Sequence, residues 1–281
     1  MAESQALDLN LATPRRRLTP ALRQRIESFA LGTATIAFLL VVWELLPHFF
    51  SVQQGTRLFF TVPSRIFAAL WQMFATGAIW APLGVSASAF AIGLALAIAV
   101  GLPLGILLGR SATLNAMFDP FVTALNATPR LVFLPLLMLW LGIGLWSKVA
   151  VVFLGALFPL LINTHEGVRN ADKLLINVVR SFGGRGFDVA RLVVIPNALP
   201  FIVVGLRLAV GRAILGVVVA EFFGAQDGLG VVMVRAASSF NVDVVFAGLI
   251  VFAALSLVMT GMVKIVENRM SRWRPQTLVN E

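Results

Sequence analysis

Leu83-Gly84-Val85-Ser86-Ala87-Ser88-Ala89-Phe90-Ala91-Ile92-Gly93-Leu94-Ala95-Leu96-Ala97-Ile98-Ala99-Val100-Gly101-Leu102-Pro103-Leu104-Gly105-Ile106-Leu107-Leu108-Gly109 is a run of 27 residues without a charged side chain. A helix crosses a bilayer with about 20 mostly apolar residues. At about 1.5 Å per residue this run is long enough to cross at a tilt. Small residues recur at every fourth position, at Ala89, Gly93, Ala97, Gly101, Gly105 and Gly109. That spacing puts them on one helix face, where a second backbone can approach closely. Tight packing, within the chain or against a second copy, is one reading; a flexible gating stripe is the other.

The rest of the chain agrees with a membrane setting. Of its 281 residues 59% are hydrophobic and only 12% charged, against about 45–50% and about 25% in a typical soluble domain. Too few polar residues remain to cover a single globule, which excludes an ordinary soluble enzyme. The absence of cysteine removes disulfides, thiolate metal sites and thiol nucleophiles. His48 and His165 are the only histidines and lie far apart, so no metal site and no catalytic residue is expected. The net charge of +9 reads in so apolar a chain as a positive-inside bias rather than as affinity for nucleic acid.

Five further runs have spanning character: Phe29 to Leu46, Phe118 to Leu141, Val149 to Thr164, Leu199 to Phe222 and Val244 to Val263. The expected fold is an all-α membrane protein, a six-helix transmembrane bundle over residues 29–266. A partly disordered arm (1–28) precedes it and a tail (267–281) follows. Fifteen of the 22 basic residues fall on the side that holds both ends and the loop 165–198. Four, Arg57, Arg65, Lys148 and Arg235, fall on the other side. Both termini are therefore expected to be cytoplasmic. The first apolar run starts late and lacks a small-x-small cleavage pattern, so it reads as an uncleaved start-transfer helix.

Thr128-Pro129-Arg130 and Pro135 interrupt the third run. They free carbonyls that a lipid-facing helix cannot leave unpaired, so this stretch faces protein or a water-filled path. Arg130, midway along, is either a lining residue of that path or a structural partner for an acid. Arg207, near the inner end of the fifth run, is expected to snorkel. Glu221 closes that run and Gly224–Gly230 follows it, read as a tight re-entry or part of an external gate. Thr61-Val62-Pro63-Ser64 starts a helix with Ile66, Phe67, Leu70, Trp71 and Phe74 on one interfacial face.

The loop 165–198 carries the functional reading. Leu174, Leu175, Val178, Val179 and Phe182 form one helical stripe, with Lys173, Asn177 and Arg180 on the remainder. Gly183, Gly184 and Gly186 force a turn. A second short helix is expected through Phe187, Ala190, Arg191 and Val194, stopped by Pro196. An apolar helix–glycine–helix hairpin in water must either dock a soluble partner or pack on its own bundle.

This loop resembles the coupling loop of the permease subunits of binding-protein-dependent ABC importers. That family's pattern is Glu-Ala-Ala, three residues, Gly, nine residues, Ile-x-Leu-Pro. Gly183 stands at its glycine and Pro196 at its proline, while Asn177, Val178 and Val179 replace the Glu-Ala-Ala triplet. Leu199–Ala209, Val219-Ala220-Glu221, Gly228-Leu229-Gly230, Leu134-Pro135-Leu136 and Trp140–Gly144 are similar to the family too. The likeness runs from about residue 62 to 274. It is nearest to the branch that imports sulfonates, taurine and nitrate, although Arg130 stands where that branch often has a second proline.

The resemblance implies a type I importer fold in a bacterial inner membrane. It also implies a second permease copy, two copies of a cytoplasmic ATP-binding subunit and an extracytoplasmic solute-binding protein. Leu175, Asn177, Val178, Val179, Phe182, Gly183, Gly184 and Pro196 would then couple to the ATPase, and Thr128, Pro129, Arg130 and Pro135 would line the path. The chain has no GxxxxGK[ST] phosphate loop. ATP and magnesium therefore belong on the partner, and no cofactor is expected here. The alternative is a secondary transporter driven by an ion gradient.

Overall fold

The computed structural model describes residues 20–49 and 60–270, and among them all regular structure is helical. The expected disorder of the arm, the His48 and Arg130 side chains and the tail beyond residue 270 lie outside the described residues. The chain divides into a unit up to residue 53 and a second from residue 54 onward. In the first, α1 (Pro20–Phe49) is a 30-residue helix. Thr33 and Thr35 donate their hydroxyls to the carbonyls of Phe29 and Leu31, both at 2.9 Å. Each polar group is thereby satisfied within the helix.

The second unit is built on three long helices, α3 (Trp80–Arg110), α6 (Leu145–Arg169) and α9 (Ile195–Gly224), with α6 in the middle. The small-residue stripe of α3 faces α6 of the same chain. A Cβ on Gly93 would sit 2.6 Å from Val152, one on Gly105 2.6 Å from Thr164, and one on Gly109 2.6 Å from Val168. Gly101 has more room, with Leu157 at 3.4 Å, and Ala89 and Ala97 are fully buried. The paired residue numbers rise together, so α3 and α6 run parallel. On its other side α6 meets α9 in the opposite sense: Gly155 faces Arg212, Gly205 faces Pro159 and Gly167 faces Ala198. Close approach of backbones maximises dispersion contacts, which hold helices together where lipid weakens the hydrophobic drive.

Because α3 and α6 are parallel, residues 111–144 must run back along their length. They do so in pieces, broken where Thr128-Pro129-Arg130 and Pro135 interrupt the third run. The path is α4 (Ala112–Ala127), a 3₁₀ turn (Arg130–Phe133) and α5 (Leu134–Leu141). Ser111 caps α4 by accepting the Leu114 N–H at 3.3 Å. Proline disfavours the helical region for the residue before it, and Thr128 accordingly leaves the helix at φ −70°, ψ 131°. Pro135 sits in the first turn of α5, where its missing N–H costs nothing. Among the described residues five continuous helices are long and apolar enough to cross a membrane, and the broken stretch is not one of them.

Three shorter elements complete the unit. α2 (Pro63–Ala75) buries Ile66 and Met73 while Phe67 and Trp71 remain exposed, so the single apolar face expected there is split into two. Arg65 and Thr61 both bond Asp243 in the first turn of α11 (Val242–Met270), Arg65 Nη2 at 2.8 Å. α10 (Leu229–Ser238) folds back after the glycine-rich turn. Arg207, expected to snorkel, is instead paired with Glu267 of α11.

Candidate functional site

At one end of the bundle α6 gives way to a helical hairpin. Its first arm, α7 (Lys173–Ser181), starts at Asp172, whose carboxylate accepts the Leu174 N–H at 2.7 Å. The arm stops at Gly183, which takes φ +82°. There the Gly184 N–H donates to Val179 O and the Gly183 N–H to Arg180 O, both at 2.9 Å. These two bonds satisfy the carbonyls that a helix end leaves open, and they need a left-handed residue at Gly183. Gly184 is held by space: a Cβ there would lie 2.7 Å from Val179 O.

The second arm does not end at Pro196 as expected. α8 (Gly186–Val189) runs through a π turn (Ala190–Val194) directly into α9, a helical stretch from residue 186 to 224. Pro196 lies in the first turn of α9. The wider π turn just before it accommodates the ring and the absent N–H. Asn197 ties the base of the hairpin to α6, donating to Asn170 O at 3.1 Å and Gly167 O at 3.3 Å.

The stripe of α7 has two fates. Val179, with Ile176, packs on the cluster of Val168, Ala171, Val189, Val194 and Ala198, together with Ile106 of α3. Leu174, Leu175, Val178 and Phe182 point away, Leu174 being 70% and Phe182 87% exposed. Asn177 is exposed beside them, as is Phe187 on the second arm. The hairpin is thus anchored by one edge and open along the other.

The residues expected along the path sit on the broken passage. Thr128 is half-buried, whereas Pro129 and Pro135 are exposed. Leu134, next to Pro135, anchors the passage in a cluster with Val151 of α6 and Ala220 of α9.

The opposite end of the bundle holds a buried polar cluster. Glu221 is 2% exposed, Lys148 2% and Ser86 0%, and they come from α9, α6 and α3. Ser86 Oγ donates to Glu221 Oε1 at 2.7 Å and accepts the Leu229 N–H at 2.9 Å. The Gly230 N–H donates to Glu221 Oε2 at 2.8 Å. Lys148 Nζ lies 3.5 Å from Glu221 Oε1 and also donates to the Asp227 carbonyl. The two charges cancel, and the hydrogen bonds satisfy the acid, as a group in an apolar interior requires.

Residues 101–272 match the family described as "Binding-protein-dependent transport system inner membrane component". The chain belongs to that family. It is a multi-pass inner-membrane permease of an ATP-driven importer of small solutes, working with a separate ATPase and a solute-binding protein. It is 33% identical to a putative aliphatic sulfonates transport permease, SsuC, of Bacillus subtilis, over 86% of this chain and 87% of that one. It is 30% identical to the taurine transport system permease TauC of Escherichia coli, over 86% of this chain and 89% of that one. In structure it resembles an inward-facing form of the MetNI methionine ABC transporter, with a TM-score of 0.57 at 21% identity. That match covers 67% of this chain and 94% of the other.

For the permease, the sequence pointed to the hairpin and the broken passage but not to the clamp. Lys148, one of the four basic residues on the side away from the basic loop, is a buried partner of Glu221. Ser86 gave no sign of a role. One signal was present: Glu221 is an acid at the end of an apolar run, followed by glycines at 228 and 230. An acid there needs donors, and backbone N–H groups freed by small residues are the nearest source.

Proposed function

We propose that the permease works as a pair, with a second copy of itself, and that it carries small anions of the sulfonate, taurine or nitrate kind inwards. The names of the SsuC and TauC relatives support the solute class. Each of two ATP-binding subunits would grip residues 173–196 on the cytoplasmic face, the side assigned to both termini. A binding protein would deliver solute from the other side, in a bacterial inner membrane. ATP and Mg stay on the partner; this chain supplies no phosphate-binding loop.

The observation that carries this reading is the divided stripe of α7. A segment with no further role would turn Leu174 and Phe182 into the cluster that already holds Val179. Instead they stand outward in a segment rich in Lys173, Arg180 and Arg185. Covering them with a second protein removes apolar surface from water. Closure of the ATPase pair then moves the hairpins, and through the helical stretch 186–224 that motion reaches the far end of the bundle. This is a rigid-body transition of the kind that couples distant sites. Thr128, Pro129, Arg130 and Pro135 would flank the solute path, with Arg130 the residue suited to an anion.

The test is co-purification and hydrolysis. The permease should bring its ATP-binding subunit out of membranes, and Leu174→Asp with Phe182→Asp should abolish that association. Taurine and ethanesulfonate, presented with the binding protein, should stimulate hydrolysis by the reconstituted complex. Full association with both aspartates in place would overturn the docking reading.

A further inference from the structure

We propose that the Ser86–Lys148–Glu221 clamp is a transmission joint that makes α10 move with α9, so that Glu221 is a positioning residue for transport. The inference rests on the importer reading above, because it gives the clamp a motion to transmit.

Four observations lead to it. First, the second arm of the hairpin and α9 are one helical stretch from residue 186 to 224. A displacement of the hairpin therefore arrives at Glu221, about 50 Å along the axis, without crossing a loop. Secondly, the turn beyond α9 is shaped around that carboxylate. Gly228 takes φ +125° and Gly230 leaves only 2.7 Å for a Cβ against Glu221. Side chains at either position would push the turn off the acid.

Thirdly, the turn is held on both flanks by side chains from different helices. Glu221 of α9 holds the Gly230 N–H, Ser86 of α3 holds the Leu229 N–H, and Lys148 of α6 holds the Asp227 carbonyl. Apolar contacts alone let packed helices slide by small steps, as in shear motions. Directional bonds to a buried charge do not. Replacing a buried ion pair by apolar residues of like volume is often neutral or stabilising, so stability alone gives little reason for charges at this place.

Fourthly, a cleft of about 140 Å³ opens beside the Ser86–Leu229 contact, lined by Pro82 and Val85 of α3 and by Val232 and Arg235 of α10. The clamp is thus where α10 meets α3, with unfilled space alongside it. Energetic coupling over such distances needs an element with two defined arrangements that both ends bias. In this proposal α9, the clamp and α10 are that element.

The chain has no cysteine, so labels report only from introduced positions. Spin labels at Leu208→Cys on α9 and Ala237→Cys on α10 are measured in the full transporter, with and without ATP. With one labelled copy per transporter and the clamp intact, each nucleotide state should give one narrow distance. Glu221→Ala, and the milder Glu221→Gln and Lys148→Met, should broaden the distribution. Hydrolysis stimulated by the binding protein with taurine should fall about tenfold, the scale of a typical coupling between sites. Unstimulated hydrolysis and co-purification of the ATP-binding subunit should stay within about twofold.

Unchanged distances in a variant that still co-purifies its partner would overturn the joint. So would broadened distances with stimulated hydrolysis intact. The distance measurement needs no solute, and it decides the clamp even where taurine is not the cargo. Failure of the unaltered chain to retain an ATP-binding subunit would overturn the importer reading instead. Should Glu221→Ala fail to fold, the Gln and Met variants carry the decision.

Discussion

Phe182 and Val179 lie on one helical stripe, three residues apart, and replacing each by alanine should separate docking from stability. Phe182 is 87% exposed in this chain, so Phe182→Ala should leave the melting temperature of the permease unchanged. Its effect should appear when the ATP-binding subunit covers that position. Full burial of a large apolar side chain is worth about 1.5–3 kcal/mol, and about 1.4 kcal/mol is a factor of ten. Affinity for the subunit should therefore fall about 10- to 150-fold. Val179 is half-buried against Val168, Ala171, Val189, Val194 and Ala198. Val179→Ala removes two carbons there. At about 0.8 kcal/mol per fully buried CH₂, halved for partial burial, the fold loses about 1 kcal/mol. Its melting temperature should drop while docking stays near native. The assays are titration of the purified ATP-binding subunit onto permease in lipid nanodiscs, and thermal unfolding in detergent. Loss of stability in Phe182→Ala with docking unaltered would refute the division of the stripe. Equal loss of affinity in both variants would do the same.

Other expectations follow from the same geometry. Gly93→Ala should be poorly tolerated, because its Cβ would meet Val152 at 2.6 Å and Val149 O at 2.9 Å, an overpacking worth about 1–3 kcal/mol. Gly101→Ala, with its nearest neighbour at 3.4 Å, should melt close to the native temperature; equal loss in both would count against the register of α3 on α6. Gly183→Val should strain a φ of +82° by about 1–2 kcal/mol and leave ATP hydrolysis uncoupled from uptake. Gly183→Asn should do so less, since Asn tolerates that conformation, and intact coupling in the valine variant would refute the turn's role. Asp243→Asn weakens an ion pair whose arginine is 61% exposed. Its cost should be under about 1 kcal/mol, read as a small shift in thermal unfolding; a collapse of the fold would show that α2 is held by this pair.

The apolar runs were legible residue by residue because membrane insertion is a local property. About 20 apolar side chains suffice, whatever lies elsewhere in the chain. α1, α3, α6, α9 and α11 follow from that alone. The small-residue stripe of α3 was legible as an interface, though not its owner. The hairpin turn was legible because a glycine cluster is itself a local instruction. The break in the third run at Thr128–Phe133 was legible too, because the restriction before Pro129 acts on its neighbour alone. Pro196 was not: the π turn absorbed a residue that ends most helices.

What composition and periodicity determined was the number of oily segments, their lengths and the place where the chain must turn. Which side chains of α7 are anchored, which partner α3 receives and how Lys148 meets Glu221 were decided by tertiary packing alone. The reason is range. Transfer of a side chain out of water depends on that side chain, whereas a salt bridge between residues 148 and 221 depends on how three helices cross, and no local pattern encodes that.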